Sequence, residues 1–350
     1  MDRIREAVHE LLAVFRSATS KHDAHRAAAP IMEQLTRQPA FLTAVIEKYL
    51  GTRGSLDRKN YPVVGMEISE NPWFGLVANC WIPLPGRETH ISTKCIHHHG
   101  NMLLTTATLF GPGYEHWMFT KPRPVDPARG VYEMELLEAA PHPQHHVSFV
   151  DAWIAHTPFY PKELSITLAL WSNRFDTTWR DHVKRLPGVR TNAAALREVG
   201  VKMGLKKALD LKVVDSYDFF PTPEGFQVMR ERKEFELGPM EDHVHSVFHV
   251  VQRTGNEHLG RVIRAQLERG AVSVGRPVVE RLLSDLERGR PIEGRLSSMH
   301  YGIPYANFTR DDVFGALTAL GKKKVDDGGK LASAPGGQAA PRASTQREHV

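Results

Sequence analysis

Residues 95–119 read CIHHHGNMLLTTATLFGPGYEHWMF, and the spacing within this stretch decides the fold class. Short runs of β-branched, aromatic and aliphatic residues, broken by Gly100 and by the turn Gly111-Pro112-Gly113, are the pattern of antiparallel strands. Successive side chains of a strand point to opposite faces, so Cys95, His97 and His99 share one face and His98 takes the other. Two imidazoles two residues apart on one face can share a metal ion, whereas sequence neighbours cannot. Gly100 then permits a sharp change of direction beside the pair.

The same texture extends outward from 61 to 173, with strands predicted at 62–69, 73–82, 89–97, 102–110, 114–120, 131–139, 145–151 and 164–172. Pro122, Pro124 and Pro127 predict a loop, because proline cannot serve a central ladder. Residues 145–173, HHVSFVDAWIAHTPFYPKELSITLALWSN, read as a strand, a tight turn at 151–155, His156, a loop through Pro158 and Pro161, and a closing strand. In a closed barrel a histidine just past such a turn points back inside. His156 is therefore the expected third ligand, with His145 and His146 as alternatives. His146 otherwise stands beside a ligand and orients its ring, and Cys95 is a small buried neighbour on the ligand strand.

Helices flank this unit. Ile4, Val8, Leu11, Leu12 and Phe15 recur at helical spacing, as do Phe41, Leu42, Val45, Ile46, Tyr49 and Leu50. Further helices are predicted at 191–211, 243–252, 257–268 and 277–287, with a last one starting near Thr309. A hairpin is predicted over 213–235 around Pro221 and Gly225. His243, His245 and His249 fall on the 243–252 helix, where Val244, Phe248 and Val251 form a packing stripe. From Gly321 onward the chain is rich in Gly, Ala, Pro, Ser and Lys, the composition of a disordered tail.

The chain of 350 residues has 41% hydrophobic and 24% charged residues, the balance of a globular protein. No apolar run reaches the roughly 18–20 residues of a membrane span, and the charged N-terminus is unlike a signal peptide, so a cytoplasmic protein without membrane partner is expected. Cys80 and Cys95 are the two cysteines, too few for a disulfide framework. The net charge of +5 is mostly a tail property, since Gly321–Val350 holds six Lys or Arg against three Asp or Glu. The remaining body is close to neutral, which argues against a nucleic-acid partner. The anomaly is histidine: nineteen, clustered at 97–99, 142–146 and 243–249.

The segment IHHHG followed by LFGPGYEHWMF resembles the first cupin motif of the cysteine-dioxygenase-like branch. His156 followed by SITLAL resembles the second, a histidine shortly before a closing strand. The resemblance spans the β-rich region alone. It implies a mainly β fold, a cupin double-stranded β-helix (jelly-roll barrel) over 56–175. A helical cap would precede it at 1–55, a helical and hairpin region would follow at 176–320, and the tail at 321–350. It also implies one divalent metal on His97, His99 and His156. The positions where many cupins carry a glutamate ligand are Leu103 and Leu104, so the implied set has three histidines. Tyr114 and His116, across the glycine turn, are the candidate proton donor or substrate contacts.

Three neutral imidazoles leave the charge of the metal uncompensated and positions open, which suits Fe(2+) taking an anionic substrate beside O2; Mn, Ni, Co and Zn remain candidates. The expected protein is a mononuclear non-haem iron oxygenase, dioxygenase-like, acting on a small, polar, anionic metabolite. A ligand-sensing cupin and a metal-dependent isomerase or decarboxylase are the rivals. A homodimer is among the assembly states expected.

Overall fold

The computed structural model describes residues 2–58, 63–92, 96–173, 218–228, 239–272, 275–295 and 308–326. Three helices lead: α1 (Asp2–Ser17), α2 (Lys21–Thr36) and α3 (Pro39–Gly51). Ser20 caps α2, its Oγ accepting the Asp23 N–H at 3.1 Å, and Pro39 stands in the first turn of α3, where a missing N–H costs nothing. The strands are β1 (Val63–Glu70), β2 (Phe74–Trp81), β3 (Ile96–His97), β4 (Leu104–Phe110), β5 (Tyr114–Phe119) and β6 (Arg123–Asp126). They continue as β7 (Val131–Glu133), β8 (Leu136–His142), β9 (Val147–Val150), β10 (Ala155–Pro158), β11 (Ser165–Ser172), β12 (Asp218–Thr222) and β13 (Gly225–Val228). Four helices follow: α4 (Met240–Arg253), α5 (Gly260–Glu268), α6 (Arg276–Glu287) and α7 (Arg310–Asp326).

Two antiparallel sheets face each other, one in the order β1-β2-β11-β4-β9 and the other β6-β7-β13-β12-β3-β10-β5-β8. From β3 to β5, and again from β8 to β11, each step along the chain crosses from one sheet to the other. That alternation is the winding of a double-stranded β-helix, the fold class the sequence implies. The hairpin β12–β13 belongs to the larger sheet, where Asp218 and Phe219 pair with His97 and Ile96. The β-structure therefore draws on residues well beyond 175.

The smaller sheet is buried on both faces. Leu76, Ala78 and Cys80 of β2 and Ile166, Leu168 and Leu170 of β11 point outward into one core with Leu11, Phe15, Phe41 and Ile46. Phe248, Ile263, Leu282 and Leu286 join that same core, so N- and C-terminal helices form one layer over this sheet. On the far side, Val313 and Ala316 of α7 pack with Trp117, Phe119, Phe219 and Phe226 on the outer face of the larger sheet.

Several elements differ from the sequence reading. Among the described residues of the strand expected at 89–97, Ile96–His97 form β3 and single bridges join His90 to Thr309 and Ile91 to Phe159. The proline-rich stretch expected as a loop contains β6, which is tolerated because β6 is an edge strand. The strand expected at 131–139 is two, β7 and β8, broken after Glu133. The last helix runs to Asp326, past the expected start of the tail, and the helix expected at 191–211 lies outside the described residues. On α4 the three histidines go separate ways: His243 to Tyr49 and Ser55, His245 to Arg281, His249 to the Ile292 carbonyl. Among the described residues no helix is long and apolar enough to cross a membrane.

The turn between β4 and β5 has a sharp requirement. Gly111 and Gly113 both adopt positive φ, and a Cβ on Gly113 would come within 1.9 Å of the His142 carbonyl oxygen. Gly113→Ala should therefore destabilise the fold by about 2–4 kcal/mol, read from urea unfolding midpoints.

A second expectation concerns His25, 1% exposed on α2, whose Nδ1 meets Thr105 Oγ1 at 2.7 Å while Nε2 is buried without a partner. Burial, reinforced by the charges of His22 and Lys21, lowers its pKa to about 4. The unfolded chain thus binds this proton first as pH falls below about 6.5. Stability from His25 is full above that value and is lost as pH drops towards 4. The loss should be on the order of 2 kcal/mol at pH 5, and smaller in His25→Gln than in the wild type, measured by thermal melts across pH.

Candidate metal centre

Alternation in the larger sheet puts the site inside. Ile96, Ala155, Trp117 and Phe119 point outward into the core beneath α7. Their strand neighbours His97, His156 and His116 point inward and line a cavity of about 230 Å³ between the sheets. The smaller sheet supplies the opposite wall with every second residue: Val77, Asn79 and Trp81 from β2, Thr167, Ala169 and Trp171 from β11, Leu104 and Thr106 from β4. The cavity is smaller than the roughly 300–1,000 Å³ of drug-sized pockets, which suits a metabolite.

His97 and His156 are direct cross-strand partners on β3 and β10, with ring centroids 4.4 Å apart. His99, beyond the end of β3, returns to the same side, 5.2 Å from the His156 ring. One nitrogen from each of the three lies within 4.8 Å of the others, the one such histidine, cysteine and carboxylate group among the described residues. His99 Nε2 and His156 Nε2 are 3.1 Å apart, close enough for a single ion with nitrogen bonds of about 2.0–2.1 Å. Burial pushes the His99 pKa down to about 3, with a further push from His97. His156 is also held well below the ordinary imidazole value, first by burial and then by His97 and His116. These rings keep free lone pairs at neutral pH, as metal ligation requires. The donor set fits a divalent ion.

The neighbours hold the donors in place. His116 Nε2 lies 2.9 Å from His156 Nδ1, so a His156 that ligates through Nε2 donates its Nδ1–H to His116. His98, buried at 2% exposure, turns the other way. Its Nδ1 accepts the Gly100 N–H at 3.0 Å, and its ring lies 5.5 Å from Trp153. Trp153 adopts a left-handed conformation (φ 66°), donates its N–H to the Gly100 carbonyl at 2.7 Å, and carries Lys121 above its ring. The turn before His156 is thereby tied to the glycine after His99.

The remaining sequence candidates are placed as follows. Tyr114 lines the cavity and bonds to Thr167, which also accepts the Trp81 Nε1–H at 2.9 Å. Burial raises the Tyr114 pKa, keeping its hydroxyl protonated. His145 bonds Thr36 of α2, away from the three-histidine group. His146 does not reach a ligand; its Nδ1 lies 2.9 Å from that of His142. Cys95 lies outside the described residues. His116 as the partner of His156, and His142 as the partner of His146, were not legible as such. His116 was expected instead as a proton donor or substrate contact, and the advance signal for His142 was its place in the histidine cluster at 142–146.

No family model matches the sequence, and no curated protein matches it. Among solved structures, an RmlC-like cupin protein from Desulfovibrio desulfuricans is 13% identical, covering 31% of this chain and 80% of that one, with a TM-score of 0.21. A cupin domain from Bordetella pertussis is 9% identical over 33% of this chain and 97% of that one, at a TM-score of 0.19. The DMSP lyase DddQ from Ruegeria pomeroyi is 13% identical over 48% and 74%, at 0.21.

The geometry separates the neighbouring histidines by role. Alanine at His97, His99 or His156 should abolish tight metal binding, measured as metal per chain after dialysis. His98→Ala should retain metal but lower the melting temperature. His116→Phe should weaken metal affinity about 10–100-fold in chelator competition, as loss of a ring-orienting partner does.

Proposed function

We propose that this chain is a mononuclear metal-dependent cupin enzyme, an oxygenase that uses iron and O2 on a small molecule with an anionic donor. The observation that carries this reading is the three-imidazole group at the cavity wall. Bound there, Fe(2+) would supply a Lewis-acidic, redox-active centre with open positions for substrate and O2. His97, His99 and His156 would hold it; an anionic substrate donor would balance its charge.

The chain's own groups do the rest. His116 fixes the His156 ring through the Nδ1 hydrogen bond. The protonated Tyr114 hydroxyl stands in the cavity as a donor to bound substrate. Val77, Trp81, Ala169 and Trp171, set around the neutral groups of Asn79, Thr106 and Thr167, suit the uncharged body of a small substrate and exclude bulk water.

The test is anaerobic purification, iron reconstitution and a screen of small carboxylates and thiols with an oxygen electrode. Substrate-dependent O2 uptake is expected, falling at least about 100-fold in His99→Ala and substantially in Tyr114→Phe. Turnover of a substrate with no O2 consumed would replace the oxygenase reading with an isomerase or decarboxylase.

A further inference from the structure

A hydrogen-bonded path leaves the cavity at Thr106. Thr106, which lines the cavity from β4, places Oγ1 2.9 Å from His142 Nε2. His142, 1% exposed at the end of β8, places Nδ1 2.9 Å from His146 Nδ1. His146 is exposed to solvent. The path is braced: Thr108 Oγ1 donates to the His142 carbonyl at 2.9 Å, the Thr108 N–H to the His146 carbonyl at 3.2 Å, and the His146 N–H to the Pro143 carbonyl at 3.0 Å.

We propose that His142 and His146 form a proton relay between the Thr106 hydroxyl and solvent, an inference that rests on the cavity being the reaction site. Two Nδ1 atoms facing each other cannot both carry a proton in a neutral pair, so one donates and the other accepts. His142 is thereby limited to two arrangements. In the outward one, Thr106 donates to His142 Nε2, and His142 Nδ1–H donates to His146. In the inward one, His146 Nδ1–H donates to His142, and His142 Nε2–H donates to Thr106. A group in the cavity that loses a proton gives it to Thr106 Oγ1 as the hydroxyl proton passes to His142 Nε2. The His142 Nδ1 proton then passes to His146, which releases its Nε2 proton to water. One proton leaves, no electrons are transferred, and the pair ends in the inward arrangement. From there it can return one proton by the same hops in reverse.

His142 carries protons without storing them. Burial lowers its pKa to about 3, and the charges of His116 and His146 push the same way. The titratable groups that face it are Tyr114 and His116 from β5, with ring centroids at 5.4 and 6.3 Å, and His146 from its own turn; β4 presents only Thr106 and Thr108. Among the described residues neither His142 nor His146 has an ion-pair partner.

The test is nitrogen NMR of histidine-labelled protein, metal-free and after Zn(II) loading, from about pH 8 to about pH 5, the span in which imidazoles ordinarily titrate. A proton taken up at the solvent end of the pair should move the His142 proton from Nδ1 to Nε2 while His142 stays neutral, exchanging the shifts of its two nitrogens. His146→Gln, a change at an exposed position, should leave the protein folded and remove that exchange. A His142 that keeps one tautomer throughout this range, or that becomes an imidazolium in it, overturns the relay and leaves the metal reading standing. A wild type that takes up no Zn(II) overturns the three-histidine reading and the relay with it.

Discussion

The pairing of His97 with His156 across β3 and β10 is the contact on which the site depends. It fixes register. Because side chains alternate along a strand, a slip by one residue would turn both imidazoles into the outer core and bring Ile96 and Ala155 into the cavity. The outward neighbours resist that slip: Ile96, Ala155, Trp117 and Phe119 are almost wholly buried against Phe219, Phe226 and α7. Hydrophobic burial on one face of the sheet therefore holds polar donors in place on the other.

The smaller sheet works differently, since both of its faces are covered. Its outer face is sealed by six helices drawn from both ends of the chain, and its inner face is the cavity wall. Thr106, Thr167 and Asn79 occur on that inner face. In a strand buried on both sides such residues need partners, and two of the three have them in His142 and in Trp81 with Tyr114. The polar groups of the cavity are thus tied to the scaffold instead of being left to solvent.

How much of this was legible can be argued residue by residue. The His97/His99 pair and the outward turn of His98 follow from strand alternation alone, and Gly111 and Gly113 announce their turn. The third histidine rested on its place just past the turn at 151–155, with likeness to a motif beside it, and His145 and His146 stayed open as alternatives; the pairing with β3 and β5 puts His156 beside His97. The roles of His116 and His142 escaped because His156 and Thr106 lie 40 and 36 residues away in sequence, the first reaching His116 from the neighbouring strand β10 and the second reaching His142 from the other sheet. The hairpin at 218–228 was visible as a hairpin, but its place in the sheet was not, since pairing over long separations leaves no local periodicity. The stretch before β3 was read as a full strand because its composition suits one, yet its described residues make isolated bridges.

The position of that hairpin bears on the order in which the protein comes into being. The strand carrying His97 has two neighbours: β10 arrives some sixty residues later, and β12 only when the chain has reached Asp218. On the ribosome, all three histidines emerge well before the larger sheet can close around them, and the loop that must be closed to do so is long. The nascent chain thus passes through an interval in which its donors are present but unsupported. Synthesis through β13 ends that interval.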